Sequence, residues 1–299
     1  MTEPIDLSPL YTFFSLVSFV LGCMVGSFLN VCVYRLPRGE SIVKPRSHCP
    51  KCDSLIVWHD NVPILSWVLL GAKCRHCGQS ISWMYPLVES ITGLLFLFVF
   101  WRFGFTAATP IYMGFVASMV LVTFVDLTDW TIPNEVTFPG IPLGILLALV
   151  GMLYPPSGLV VNDVFDSLIG AVVGGGSLYL LDKISLVILR KRGMGFGDVK
   201  LLAMLGAFLG WRGVILIIMI SSCLGSVVGI TMIALDRWRV KQKGESASEE
   251  EAEGLSPGHY LPFGPYLAAA GLIVLFFGKA ILAAYYSYVT GGAVGGVIL

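Results

Sequence analysis

The feature of this sequence that most limits its fold is a series of long segments without charged residues. The first such segment holds 28 residues, 7–34, between Asp6 and Arg35. About 20 apolar residues are enough to cross the hydrocarbon of a bilayer as a helix. The segment must be helical there, because the bilayer offers no hydrogen-bond partners to the backbone. The segment therefore predicts a membrane-spanning helix.

Similar segments recur along the chain and predict an all-α polytopic membrane protein with about eight transmembrane helices. After the first helix, the expected spans are 84–101, 103–125, much of 136–162, 164–189, 200–211, 213–235 and one from about 265. The composition agrees, because charged residues make up 13% of the chain against roughly 25% in an average soluble protein. The 19 basic and 19 acidic residues also exclude a globally cationic nucleic-acid binder.

The distribution of basic residues predicts the orientation of these helices. If the N-terminus lies outside, the inner loops are 35–83, 127–135, 183–200 and 236–262, and they hold 16 of the 19 Lys and Arg residues. Loops on the cytoplasmic side of a membrane carry an excess of Lys and Arg. We therefore expect the N-terminus outside and the large loops in the cytosol.

A polar insert between the first two spans carries two Cys-x-x-Cys pairs, Cys49 with Cys52 and Cys74 with Cys77. Two such pairs can form the tetrahedral sulfur site that a structural zinc ion occupies. The reducing cytosol favours metal binding over disulfide formation. A redox pair or an iron site is the alternative.

The position of this insert divides the chain into three expected regions. The first transmembrane helix occupies 1–34, the cytosolic four-cysteine zinc insert occupies 35–84, and a multi-helix membrane domain occupies 85–299. Four thiolates leave no open position for water, so the metal is expected to organise the insert rather than to take part in chemistry.

Two aspartates at the cytosolic ends of apolar segments are candidates for chemistry. Asp126 ends the third span, and Asp198, in a Gly-x-Gly-Asp sequence, begins the sixth. Carboxylates are costly within membranes and often functional. Two neighbouring carboxyl groups can share one proton, so that one activates a water while the other protonates a leaving group. The alternative is a helix cap or a membrane boundary, which we expect for Asp129, Asp163 and Asp166.

Taken in order, the motifs resemble those of the bacterial type IV prepilin peptidases over nearly the whole chain. They are Gly26–Val31, Tyr34–Pro37, the paired Cys-x-x-Cys insert, Tyr85–Glu89, Asp126 with Ile132–Asn134, and Gly195–Lys200. The resemblance implies a membrane aspartic endopeptidase with Asp126 and Asp198 as its catalytic pair. One departure is Asn134, which stands where the family more often has Asp.

The resemblance also implies a substrate, a second activity and two cofactors. Such enzymes remove a basic leader from prepilins or pseudopilins after a glycine and then N-methylate the new N-terminal residue with S-adenosylmethionine. They lie in the bacterial inner membrane with the active site facing the cytosol, and they serve type IV pili or type II secretion. The expected partners are prepilin precursors and membrane lipid, with no nucleic acid, and the expected cofactors are structural zinc and S-adenosylmethionine.

The sequence gives no ligands for the methyl donor, because no Gly-rich turn between a strand and a helix is evident. By elimination, the segment Gly26–Pro37 and the cytosolic insert are the candidates. Two other functions remain open at this point. One is a proton-coupled membrane transporter that uses intramembrane aspartates, and the other is a zinc-binding scaffold without catalysis.

Overall fold

The computed structural model describes residues 8–155, 158–190, 195–243 and 262–290, and the regular structure in them is helical. The helices are α1 (Ser8–Arg35), α2 (Leu65–Leu69), α3 (Met84–Phe103), α4 (Ala108–Asp129), α5 (Asn134–Leu153), α6 (Val164–Leu189), α7 (Phe196–Lys243) and α8 (Gly264–Val289). Two short 3-10 helices, Leu36–Arg38 and Trp58–Asn61, lie between α1 and α2.

Within the described residues, seven helices are long and apolar enough to cross a membrane, which confirms the all-α, multi-pass fold. The expected sixth and seventh spans are the two parts of α7, which is interrupted at Gly210 with φ 73° and ψ 172°. The eight apolar segments of the sequence thus form seven long helices, of which one is broken.

A carboxylate from α6 stabilises this break in α7. The Trp211 N–H, at the start of the second half of α7, donates to Asp166 Oδ1 at 3.3 Å. Gly210 has a φ of 73°, which residues with a side chain rarely adopt, and a Cβ atom there would lie 2.6 Å from Asp166 Oδ2. Asp166 therefore caps a helix, as expected, and Asp163 likewise caps α6 by accepting the Phe165 N–H at 3.0 Å.

Helix α4 is the central helix of the bundle. In its most apolar stretch 61% of the residues are buried, against 22–39% in the other long helices. Its Met119 belongs to one buried apolar cluster with Leu205 of α7 and Leu267 of α8. Helix α4 is therefore held by several neighbouring helices, which makes it a rigid support for a functional side chain.

The ends of several helices meet on one face of the bundle. The last turn of α4 meets the first residue of α8, where the Gly264 N–H donates to Asp126. Arg38, just after α1, lies 3.9 Å from Asp129 at the end of α4. Asn30 of α1 donates to the carbonyl of Tyr85 at the start of α3, at 3.1 Å. The insert and the end of α4 therefore share this face.

Candidate active site and metal centre

Asp126 lies in the last turn of α4 with only 5% of its surface exposed. Its Oδ2 accepts a hydrogen bond from the backbone N–H of Gly264 at 3.0 Å. A Cβ atom on Gly264 would lie 2.6 Å from the same oxygen, so the absence of a side chain permits this contact. The start of α8 therefore fixes the orientation of the Asp126 carboxyl group.

Asp198 lies in the first turn of α7 and is 8% exposed. Its backbone N–H donates to the carbonyl of Gly195 at 3.2 Å. A Cβ atom at Gly197 would lie 3.0 Å from Ile132 Cβ, and one at Gly264 would lie 3.2 Å from Ile132 Cδ1. Ile132 thus packs against the backbone beside both aspartates.

The structure therefore brings Asp126 and Asp198 to one place, although 71 residues lie between them in the sequence. The two carboxyl groups are close enough to interact electrostatically. Both are largely removed from solvent, at the end of one helix and the start of another. Two buried, interacting carboxyl groups of this kind can share a proton and act together on a bound amide and a water.

Asp129 has different surroundings, although it is only one turn further along the chain. Its side chain is 27% exposed and lies 3.9 Å from Arg38. Its Oδ2 also accepts a hydrogen bond from the Thr128 hydroxyl at 2.9 Å. Asp129 therefore pairs with the segment that follows α1, whereas Asp126 faces Gly264 and Asp198.

A polar contact beside the two aspartates joins α5 to α7. The Lys200 ammonium group donates to Asn134 Oδ1. It also lies 5.0 Å from the ring of Phe138 and 5.4 Å from the ring of Phe196. Asn134, the departure from the family pattern, thus supplies the acceptor oxygen that an Asp would also supply.

Reasoning from the sequence missed the contribution of Gly264. The eighth span was expected to begin near Pro265, and the Gly-Pro pair at 264–265 is a common helix-start signal. That signal predicts a helix boundary but gives no indication that the boundary contacts Asp126, 138 residues earlier.

The four cysteines of the insert form one cluster with two matching halves. The Asp53 N–H donates to the Cys49 carbonyl at 2.9 Å, and the Gly78 N–H donates to the Cys74 carbonyl at 2.9 Å. Asp53 and Gly78 both have positive φ, at 55° and 68°. Each Cys-x-x-Cys pair therefore closes the same tight turn, as the spacing predicts.

The geometry of this cluster fits a tetrahedral metal ion. The four Sγ atoms all lie within 4.8 Å of one another, and Cys49 Sγ is 3.9 Å from Cys77 Sγ. Sulfur atoms around a zinc ion at about 2.3 Å are separated by roughly 3.8 Å. Backbone N–H groups of Cys77 and His76 lower the pKa of Cys74 to about 6, which favours the thiolate form of this one ligand. At Cys77, a backbone hydrogen bond from Gln79 is outweighed by desolvation and by hydrogen bonds with the other three thiols, which raise its pKa to about 11.

An ion pair outside the cluster joins the second Cys-x-x-Cys turn to the rest of the insert. Arg75 donates from Nε and Nη2 to the two oxygens of Asp60 at 2.7 and 2.5 Å. These hydrogen bonds lower the pKa of the Asp60 carboxyl group. The insert is therefore held together by this pair as well as by the cysteine cluster.

Comparison with known families gives two matches along the chain. Residues 20–103 match the family described as Bacterial Peptidase A24 N-terminal domain. Residues 113–230 match the type IV leader peptidase family. The first match includes the cysteine cluster, and the second includes both Asp126 and Asp198. Neither family is described as a transporter.

Curated bacterial proteins are similar over most of the chain. A protein of Myxococcus xanthus is 42% identical over 82% of this chain and 70% of its own length. One of Stutzerimonas stutzeri is 35% identical over 92% and 94%, and one of Neisseria gonorrhoeae is 34% identical over 90% and 92%. Each is named prepilin leader peptidase/N-methyltransferase. No solved structure matches the chain significantly.

Proposed function

Because the chain belongs to the type IV leader peptidase family, we propose that it is a prepilin leader peptidase and N-methyltransferase. The main support for the peptidase activity is the pair of buried, interacting carboxyl groups of Asp126 and Asp198. The methyltransferase activity is supported by the names of the curated relatives. The substrate is then a prepilin or pseudopilin with a basic leader that ends in glycine.

The proposed cleavage uses one aspartate as a base and the other as an acid. One carboxylate takes a proton from a water, and the water oxygen forms a bond to the carbonyl carbon of the scissile amide. The C–N bond then breaks, and the other carboxyl group gives its proton to the departing amine. The products are the leader with a new carboxylate and the mature protein with a new N-terminal amine.

Two contacts support the precise placement that this step needs. The Gly264 N–H holds Asp126 Oδ2 at 3.0 Å, which limits rotation of the carboxyl group. Ile132 packs beside Gly197 and Gly264 and adds an apolar side chain to the surroundings of the pair. In a water-poor site, fixed groups of this kind act more strongly on developing charge than they would in solvent.

The location at helix ends supports cleavage near a membrane surface. Asp126 and Asp198 lie in the last turn of α4 and the first turn of α7, whereas a proton relay through a transporter would need carboxylates near the middle of the bilayer. With the N-terminus outside, as the 16 basic residues of the inner loops favour, the aspartate pair faces the cytosol of the bacterium. A leader with positive charge would be retained on that side.

We assign zinc to Cys49, Cys52, Cys74 and Cys77 on the basis of their mutual distances. The ion would stabilise the insert, which spans only about 49 residues and has a small core. S-adenosylmethionine, when bound, supplies the methyl group, and we place its site with the segment Gly26–Pro37 and the insert. Both parts are on the face of the bundle that also holds Asp126.

The proposal is tested with purified protein in detergent and a synthetic prepilin, read by mass spectrometry with and without S-adenosylmethionine. We expect loss of the leader mass in both samples and a further methyl increment only with the methyl donor. A substrate that stays intact under conditions where the protein is folded would contradict the peptidase assignment. Cleavage without any methyl increment would contradict the methyltransferase assignment alone.

A further inference from the structure

Helix α2 of the insert exposes its apolar residues and buries its polar one. Leu65, Val68 and Leu69 are 60, 61 and 83% exposed, whereas Ser66 is 7% exposed. The Ser66 hydroxyl donates to the carbonyl of His59 at 3.0 Å. The Ser66 side chain therefore forms its hydrogen bond inside the insert, whereas the three apolar side chains lie on the outer surface of the insert.

This pattern is the reverse of a helix on a water-facing domain. Such a helix turns its apolar stripe inward and its polar residues outward. Contiguous exposed apolar residues indicate a surface that contacts another apolar phase. The exposed apolar face of α2 therefore indicates that another apolar surface covers it.

Two hydrogen bonds fix the level of α2 relative to the membrane. The Ile64 N–H, one residue before α2, donates to Glu89 Oε2 of α3 at 2.8 Å. The Trp67 Nε1–H donates to the carbonyl of Ile81, three residues before α3 begins, at 3.1 Å. Side chains of a helix lean toward its N-terminus, so Glu89 reaches back toward the first turn of α3. Helix α2 therefore lies level with the point where α3 enters the bilayer.

The chemistry around α2 agrees with a membrane surface. The segment 35–83 holds seven basic and three acidic residues, a charge that anionic lipid headgroups attract. Two tryptophans of this region, Trp58 and Trp83, are 79 and 68% exposed. Tryptophan is enriched where a bilayer meets water, because its ring is apolar and its N–H is polar.

We propose that α2 is an interfacial helix, with Leu65, Val68 and Leu69 inserted into the lipid beside α3. The partner of this face is the bilayer itself, including its anionic headgroups, rather than a second protein. The bond from Ile64 to Glu89 anchors α2 at this depth, and α2 lies between the two Cys-x-x-Cys pairs in the chain. The four-cysteine insert is thus attached to the membrane at its ends and also through α2.

The test uses the full chain in nanodiscs that contain phosphatidylglycerol and phosphatidylcholine. A photoreactive amino acid replaces Leu69, and the matched control carries it at Lys51, an exposed residue between two ligand cysteines. After illumination, mass spectrometry identifies what is attached to each position. A second probe at Val68 repeats the test on the same face without altering Leu69.

We expect lipid adducts at Leu69 and Val68 in at least fivefold excess over Lys51. Equal lipid yields at all three positions would overturn the proposal, because they would show no preferred depth. A predominant adduct to a second copy of the chain or to an added prepilin would also overturn it, since the face would then be a protein interface. The zinc content and elution volume of each labelled protein show that it is folded.

Discussion

The contact between Gly264 and Asp126 allows the effect of one added methyl group to be calculated. In Gly264→Ala the new Cβ would lie 2.6 Å from Asp126 Oδ2 and 3.1 Å from its Cγ. Ordinary van der Waals contact begins near 3.4 Å, so the oxygen must move by about 0.8 Å. That movement stretches the 3.0 Å hydrogen bond from the Gly264 N–H. The carboxyl group then loses the orientation that we consider necessary for cleavage.

The expected loss can be estimated in two ways. A hydrogen bond to a charged group contributes about 1.5–3 kcal/mol, which corresponds to roughly a 10- to 150-fold change in rate. A misplacement of about 1 Å in an active site can cost on the order of 100-fold. We therefore expect kcat for leader cleavage to fall by about 10- to 100-fold, with little change in KM, because Gly264 holds a reacting group rather than the substrate.

The assay follows leader removal from a synthetic prepilin by mass spectrometry at several substrate concentrations. Gly225→Ala in α7 is the matched control, since its Cβ would meet only Phe263 and Tyr266 at 3.8 Å. The control should cleave at the rate of the unmodified protein. A Gly264→Ala protein that keeps full kcat would refute the role of this contact, as would an equal loss in the control.

Three further predictions concern other parts of the chain. Asp166→Ala removes the cap on the Trp211 N–H and should lower the free energy of unfolding by about 1 kcal/mol. The measurement is a lower Tm in detergent, and an unchanged Tm would contradict the capping role. Elemental analysis of reduced protein should find one zinc per chain, and Cys74→Ser should abolish it; a metal-free unmodified protein would contradict the zinc assignment. Asp198→Asn should still methylate a peptide supplied with its mature N-terminus, measured with labelled methyl donor; a folded variant that cannot do so would place both reactions at the aspartate pair.

The sequence predicts most of the membrane fold because the bilayer imposes a simple rule. A segment such as 103–125 has no charge and is long enough to cross, and α4 occupies Ala108–Asp129. The ends of the spans also follow from charge, so Asp126 and Asp198 could be placed on one face before any contact was known. The two Cys-x-x-Cys pairs predict their cluster because the turns that close them are local.

Contacts between distant segments could not be predicted in the same way. In the sequence, Gly210 is one more small residue in an apolar segment. The carboxylate that approaches it, Asp166, belongs to another helix. In the sequence, Gly264 indicates only the start of a helix. The hydrogen bond from its N–H to Asp126 depends on how α8 packs against α4. The inverted burial of Ser66 and Leu69 in α2 depends on the bond between Ile64 and Glu89, which only the folded chain brings together.

The central claim is that Asp126 and Asp198 act together in leader cleavage, and a double-mutant comparison tests it most directly. Cleavage of a synthetic prepilin is measured for Asp126→Asn, Asp198→Asn, the variant with both changes, and Asp129→Asn as the neighbouring control. We predict that either single change abolishes cleavage, that the double change costs no more than one, and that Asp129→Asn retains substantial activity. An active Asp126→Asn protein beside an inactive Asp129→Asn protein would contradict the account.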